Sequence, residues 1–182
     1  ATYYVDDSNG SDSNNGLYLN SQGGTSGPWA TIGKCASSIR AGDTCQVQPG
    51  IYNENITEST DGSAGNEIVY QASGSGAIIS GDINITGDYI HFKGFYVTNG
   101  GFTINKASHC LVENNFIHDT GNSVPVIMYA STKYSDDSSC SYNTIRNNKI
   151  TKGYHVGVST AGQYHTVEGN EIYEMAGGDR DG

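Results

Sequence analysis

The sequence predicts an all-β fold: a right-handed parallel β-helix, or solenoid, with a short N-terminal capping helix and an open C-terminal coil. Three observations lead there. Four stretches share one register, Tyr89–Val97, His109–Ile117, Tyr142–Ile150 and Tyr164–Ile172, with starts 20, 33 and 22 residues apart. A period of that size marks a stacked repeat, because one such unit cannot bury its apolar side alone. The fourth residue of each row (Phe92, Val112, Ile145, Val167) and the ninth (Val97, Ile117, Ile150, Ile172) are apolar. Between them lies Gly or Asn, the residues most tolerant of a left-handed corner. Each row therefore reads as strand, tight turn, strand, and the right hand follows from the handedness of parallel crossovers.

The register makes further columns. Asn115, Asn148 and Asn170 occupy the seventh place, and side chains stacked at the strand spacing of about 4.8 Å are expected to hydrogen-bond one above the other. The fifth place alternates in sign: Lys93, Glu113, Arg146, Glu168, a favourable arrangement for stacked neighbours. The first place is an aromatic column of Tyr89, His109, Tyr142 and Tyr164.

From the N-terminus, Tyr3–Val5 reads as a strand, followed by a Gly-, Ser-, Asn- and Asp-rich loop. Asp6, Asp7 and Asp12 fit no calcium-loop spacing and read as a solvated acidic turn. Pro28–Ile39 predicts a helix with Ile32, Cys35, Ala36 and Ile39 on one face, placed to cover the apolar end of the first coil. Strands are expected at Cys45–Val47, Ile51–Tyr52, Glu67–Tyr70, Ala77–Ile79 and Ile83–Ile85. A third strand follows each complete row, at Phe102–Ile104, Val126–Met128 and Val156–Val158. After Ile172 neither a third strand nor a capping helix is expected. The whole reads as one domain, 1–182, with a cap region over 1–45 and five to seven coils over 46–182.

Composition agrees. Hydrophobic residues make up 35% of the chain and glycine numbers 25, as a thin core with sharp corners requires. Thirteen tyrosines give a polar, aromatic surface of the kind that meets sugars. A net charge of −10 excludes nucleic acid and anionic membrane as partners, and a polyanion would need a basic patch or a divalent cation. No segment has the apolar length of a membrane span, no signal peptide is present, and Ala1 reads as a mature end left by processing. The four cysteines pair in sequence as Cys35–Cys45 and Cys110–Cys140, which places the chain in an oxidising, extracellular setting, the alternative being four buried thiols. Asn9, Asn55 and Asn84 head glycosylation sequons that matter only in a glycosylating host. The histidines form no triad or metal-like spacing, and His165 falls on the core column below Asn143.

The run Trp29–Cys35, followed by Ala41–Glu54 (AGDTCQVQPGIYNE), resembles the entry segment of secreted right-handed β-helix proteins. That superfamily includes pectate lyases and the alginate- and chondroitin-cleaving lyases. The resemblance implies an acidic polysaccharide as partner. Asn99, Asp119, Lys152 and Glu174 lie two places past each ninth residue and should stack along one edge at about 5 Å per coil. A uronate lyase needs such a column: calcium on carboxylates acidifies the sugar's α-proton, and a Lys or Arg removes it. One group of calcium-dependent pectate lyases uses an acidic cluster and a lysine base. By that likeness Lys152 is the base, Arg180 a carboxylate clamp, Asp119 and Glu174 substrate-binding residues, and Asp179 and Asp181 calcium ligands. Read without the likeness, Lys152 between Asp119 and Glu174 is an ordinary salt-bridge ladder.

Two functional readings follow. One is a secreted protein that binds or cleaves acidic polysaccharide by calcium-assisted β-elimination. The other is a non-enzymatic extracellular subunit that stacks on copies of itself, head to tail, through open solenoid ends to form filaments. A carbohydrate-binding module without activity is a third.

Overall fold

The structure, a computed structural model, describes residues 1–121, 123–130 and 138–175. Strand β1 (Thr2–Val5) and helix α1 (Ile32–Ala36) precede the coils. Each coil then contributes three strands. The first has β2 (Thr44–Val47), β3 (Gly50–Tyr52) and β4 (Ile56–Glu58), and the second β5 (Ile68–Ala72), β6 (Ala77–Ser80) and β7 (Ile83–Ile85). The third has β8 (Ile90–Lys93), β9 (Tyr96–Thr98) and β10 (Phe102–Asn105). The fourth has β11 (Leu111–Glu113), β12 (Phe116–His118) and β13 (Val126–Tyr129), the fifth β14 (Thr144–Arg146), β15 (Lys149–Thr151) and β16 (Val158–Thr160). A sixth begins with β17 (Thr166–Glu168) and β18 (Glu171–Tyr173).

These strands stack into three parallel sheets. The first runs β1-β2-β5-β8-β11-β14-β17, the second β3-β6-β9-β12-β15-β18 and the third β4-β7-β10-β13-β16. The register is the one the sequence columns require. Phe92, Val112, Ile145 and Val167 are successive partners in the first sheet, and Val97, Ile117, Ile150 and Ile172 in the second. Inside, Tyr70 stacks on Phe92 at 4.3 Å between ring centroids, and Phe102 meets Phe92 edge-on.

The other columns form as well. Asn115 Nδ2 donates to Asn148 Oδ1 at 3.1 Å, and Asn148 Nδ2 to Asn170 Oδ1 at 3.0 Å, while the Asn115 and Asn148 backbone N–H groups donate to the same oxygens. Tyr89, His109, Tyr142 and Tyr164 stack face to face at 4.5, 5.0 and 5.0 Å. Glu113 receives Arg146 at 2.7 Å and Lys93 at 3.3 Å. Burial pushes the Glu113 carboxyl up, but hydrogen bonds from Arg146 and Lys93 and their charges outweigh it and hold it below the usual carboxylate range. His165 Nδ1 accepts from the Asn143 backbone N–H at 3.3 Å, as expected of its place below Asn143.

Several expectations are corrected. The helix is one turn long, not Pro28–Ile39. Trp29 pairs with Val5 as an extended bridge, and Thr31 is the N-cap, its hydroxyl accepting from Lys34 N at 3.0 Å. The Glu54 carboxylate closes the same end by accepting from the Ile32 and Gly33 N–H groups, each at 2.8 Å. Strand β4 was not anticipated, and the strand placed at Val156–Val158 begins at Val158, which pairs with Val126. The acidic turn is solvated as expected, with Asp7 and Asp12 exposed, and it also ties down backbone: Asp6 accepts from Ser8 and Asn9 N–H groups, and Asp12 from Ala30 and Thr31.

Of the two expected disulfides, Cys35–Cys45 is formed, joining α1 to β2. Cys110 and Cys140 are not bonded to each other. The Cys110 thiol turns back to the preceding coil and donates to Gly87 O at 3.4 Å, whereas Cys140 Sγ accepts from Asn143 Nδ2 in the following one. Burial pushes the Cys110 thiol up to about 12, so the thiolate needed for exchange is suppressed.

The N-terminal end of the solenoid is closed. Helix α1 packs on β4, and the outer edge of β1 hydrogen-bonds to Gly16 and Trp29. Trp29 is buried, stacked on Tyr3 at 4.9 Å, with Nε1 donating to Asn14 O at 2.7 Å. At the other end Val167 is 45% and Ile172 43% exposed, although both continue core columns.

Candidate functional site

The turns that lead from the second sheet to the third carry Asn99, Asp119, Lys152 and Glu174, all left-handed, with φ of 57°, 51°, 52° and 52°. Asn and Asp tolerate this backbone; for Lys152 and Glu174 it costs about 1–2 kcal/mol each. The stacked backbone holds the turns, since Asn99 N donates to Asp119 O at 3.2 Å, and Asn99 Nδ2 bonds Ser80 Oγ at 3.0 Å. Two close approaches fix the neighbouring segments. A Cβ at Gly101 would run into the Pro125 carbonyl, and one at Gly153 into the Pro125 ring. Any side chain there would push the coils apart.

The segments after the Asn99 and Asp119 turns lead into an open groove of about 500 Å³ on the outward face of the third sheet, which the side chains of Asn99, Asp119, Lys152 and Glu174 adjoin along the chain but do not line. Its floor is a row set by strand register, the polar Asn84 and Thr103 followed by the apolar Ile127, with Asn105 beside Tyr129. Asp82, which immediately precedes β7, and Ser123, which follows the Asp119 turn, line its side.

The expected column is partly assembled. Lys152 Nζ lies 3.9 Å from Asp119 Oδ1, with the two side chains 58% and 49% exposed. At that exposure the pair contributes at most about 1 kcal/mol. The other Asp119 oxygen meets His118 Nδ1 at 2.6 Å. His118 Nε2 is buried with no hydrogen-bond partner among the described residues. A second N–H there would lack an acceptor, which selects the Nδ1–H tautomer donating to Asp119. Glu174 continues the column but accepts from Thr151 Oγ1 at 3.3 Å instead of reaching Lys152. Arg180, Asp179 and Asp181 lie outside the described residues.

As for calcium, no group of three or more His, Cys, Asp or Glu side chains among the described residues could hold a metal ion. The Asp119 carboxylate is engaged by His118 and Lys152, and the expected calcium ligands Asp179 and Asp181 lie outside the described residues.

Sequence reasoning missed the groove floor and the His118–Asp119 pair. The signal for the floor was present, because Thr103 and Ile127 alternate with the buried Phe102, Ile104, Val126 and Met128. His118–Asp119 are adjacent residues, and only the left-handed turn at Asp119 turns its carboxylate back onto the imidazole.

No protein-family model and no curated protein matches the sequence. Among solved structures, the chain is similar to the crystal structure of pectate lyase Pel9A, with a TM-score of 0.63 and 25% identity over 84% of this chain and 40% of that one. It is also similar to an alginate lyase from Paenibacillus sp. str. FPU-7, with a TM-score of 0.56 and 17% identity over 75% of this chain and 55% of that one. The chain thus has the parallel β-helix fold of these lyases and spans about 40% of the length of the pectate lyase.

Proposed function

We propose that this chain belongs to a secreted polysaccharide-acting β-helix that takes an acidic glycan into the groove of the third sheet. The observation that carries the reading is the Asp119–Lys152 pair on the turn column leading into that groove, in a fold shared with pectate lyase Pel9A. In β-elimination the Lys152 amine takes the proton α to the uronate carboxylate. The C–H electron pair becomes the new C=C bond, the glycosidic C–O bond breaks, and the leaving oxygen takes a proton from solvent water. Lys152 suits this geometrically, because a 3.9 Å contact at an exposed site leaves Nζ able to swing to a bound sugar. Asp119, oriented by His118, and Glu174 serve as substrate-binding groups. Calcium on Asp179 and Asp181, with Arg180 as a clamp, completes the reading. Secretion is supported by the Cys35–Cys45 disulfide and is compatible with the lack, among the described residues, of any helix long and apolar enough to cross a membrane.

The test is the ultraviolet absorbance that unsaturated ends give when polygalacturonate or alginate is incubated with the protein, with and without EDTA. Lys152→Ala should reduce the rate by about a hundredfold or more while leaving the melting temperature unchanged. Full activity in that variant would end the assignment of Lys152, and an EDTA-insensitive rate would end that of calcium.

A second reading, head-to-tail assembly into filaments, draws on the exposed Val167 and Ile172. Head-to-tail stacking also requires a complementary open face at the other end. That end is closed by α1 and by the segment covering β1, so the glycan reading is the better supported.

A further inference from the structure

The three sheets differ in the charge they turn outward. The first carries the column Lys93, Glu113, Arg146 and Glu168, and the second carries Lys149 opposite Glu171. On the third sheet, register aligns Thr57, Asn84, Thr103, Ile127 and Ser159 in one outward column. Asn105 and Tyr129 pair in the next. None of these side chains is charged. Among the described residues that line the groove, Asp82 alone is ionisable to a charged form near neutral pH, and it is an acid. Asp82 is exposed, and its Oδ1 accepts from Gly101 N at 3.3 Å, which holds the carboxylate at the groove's side.

The polar atoms of this groove are uncommitted. The side chains of Asn84, Thr103, Asn105 and Ser123 make no hydrogen bond to the protein among the described residues. The interior asparagines are the opposite case, since Asn115 and Asn148 spend their amides on neighbouring coils. A carboxylate entering the groove would give up hydration with no cation on the lining to replace it. It would also meet the like charge of Asp82 in a chain of net charge −10. A neutral sugar residue has neither difficulty. Its hydroxyls exchange hydrogen bonds with amides and hydroxyls, and its C–H face can lie on Ile127 and the Tyr129 ring. Lys152, the cation that a uronate needs, stands on the adjoining turns and not on the lining.

We propose that the groove selects neutral sugar residues, so that the glycan is one whose reacting uronate is flanked by neutral sugars and not a run of uronates, with Asp82 as the residue that excludes carboxylates. That the ligand is a glycan, with its uronate at Lys152, rests on the functional reading above. The neutrality of the residues in the groove follows from the lining itself. Substrate choice is thereby divided between two neighbouring places: the turn column takes the acid, and the sheet face takes what is joined to it.

The experiment is affinity electrophoresis in gels containing polygalacturonate, deacylated gellan or hyaluronan, each with EDTA and with calcium. In gellan and hyaluronan every uronate is flanked by neutral sugars. Far-ultraviolet circular dichroism checks the fold of each variant. In EDTA the wild type should bind at least one of the mixed polymers about tenfold or more tightly than polygalacturonate. Asp82→Asn should strengthen binding of polygalacturonate, and Thr103→Lys, which places a cation on the floor, should reverse the preference. Thr103→Val, which removes a hydroxyl, should weaken binding of the mixed polymers. Polygalacturonate bound by the wild type in EDTA as tightly as the mixed polymers overturns the proposal, and so does a preference that neither Asp82→Asn nor Thr103→Lys changes. Calcium-dependent binding of polygalacturonate that Asp82→Asn abolishes also overturns it, because Asp82 would then hold a cation for uronate. Absence of retardation in every gel has the same consequence. Unsaturated product judges the functional reading separately. A neutral preference without product from any polymer refutes that reading and leaves the proposal standing, whereas product from polygalacturonate without a neutral preference does the reverse.

Discussion

At the scale of single residues, the least expected group is Glu58. It is fully buried, points into the core from β4, and pairs with no cation among the described residues. The Tyr70 hydroxyl and the Thr60 N–H, at 2.7 Å, donate to its two oxygens. Burial raises the Glu58 carboxyl above its ordinary value of 4.5, and the hydrogen bonds from Tyr70 and Thr60 only partly oppose this. The folded state therefore holds this proton more tightly than the unfolded chain does. The associated stability is fully present below the ordinary glutamate value and is lost as pH rises from there through the folded value. Glu58→Gln, which cannot ionise, should flatten that decline. Urea midpoints measured from pH about 4.5 to about 8 check this, and parallel curves for the two proteins would show that Glu58 does not set the slope.

Among elements, the asparagine ladder best shows how sequence becomes structure. Asn148 is almost wholly buried; its oxygen serves Asn115 twice, and its amide donates to Val112 O at 2.9 Å. Asn148→Ala leaves buried backbone groups unsatisfied and should cost about 2–4 kcal/mol. Asn170→Ala, in the half-buried last rung, should cost about half as much. Equal losses in urea unfolding would mean that burial does not set the energy. The ladder, the aromatic column and the charge column were all legible in the sequence, because identical spacing in four rows fixes a register. What was not legible depended on a single partner. The length of α1 is decided by Trp29 pairing with Val5 and by the distant carboxylates of Asp12 and Glu54. Strand β4 carries only Ile56 as an apolar signal, since its other inward residue is Glu58. The Cys110–Cys140 pairing failed because sequence order cannot tell which coil a thiol turns toward. In the candidate site, the Asp119–Lys152 proximity followed from the row spacing, whereas Glu174 turned to Thr151 for a local hydrogen bond that no spacing rule contains.

For the molecule as a whole, each coil contacts only its neighbours, so stability is a sum of similar interfaces and not the property of one central core. Among the described residues the two ends differ: the N-terminal one is closed by α1 and a long loop, while Tyr164, Val167 and Ile172 in the last described coil are exposed. With one end closed, growth beyond a pair of molecules is blocked, and net charge of −10 adds mutual repulsion. Sedimentation velocity at physiological salt should therefore give no species larger than a pair across a concentration series. A series of ever larger species would instead favour the filament reading.

The closed end also contains Trp29, the chain's single tryptophan, clamped between the Tyr3 ring and the Asn14 carbonyl. Its emission is thus a private optical signal of the N-terminal cap, blind to the far coils. Thirteen tyrosines and the strand circular dichroism average over everything else. If melting starts at the open end, the dichroism will fade while the indole still emits from its apolar niche, and two probes that coincide in a two-state domain will separate. One intrinsic fluorophore thereby turns an ordinary thermal scan into a reading of the direction in which the solenoid unwinds.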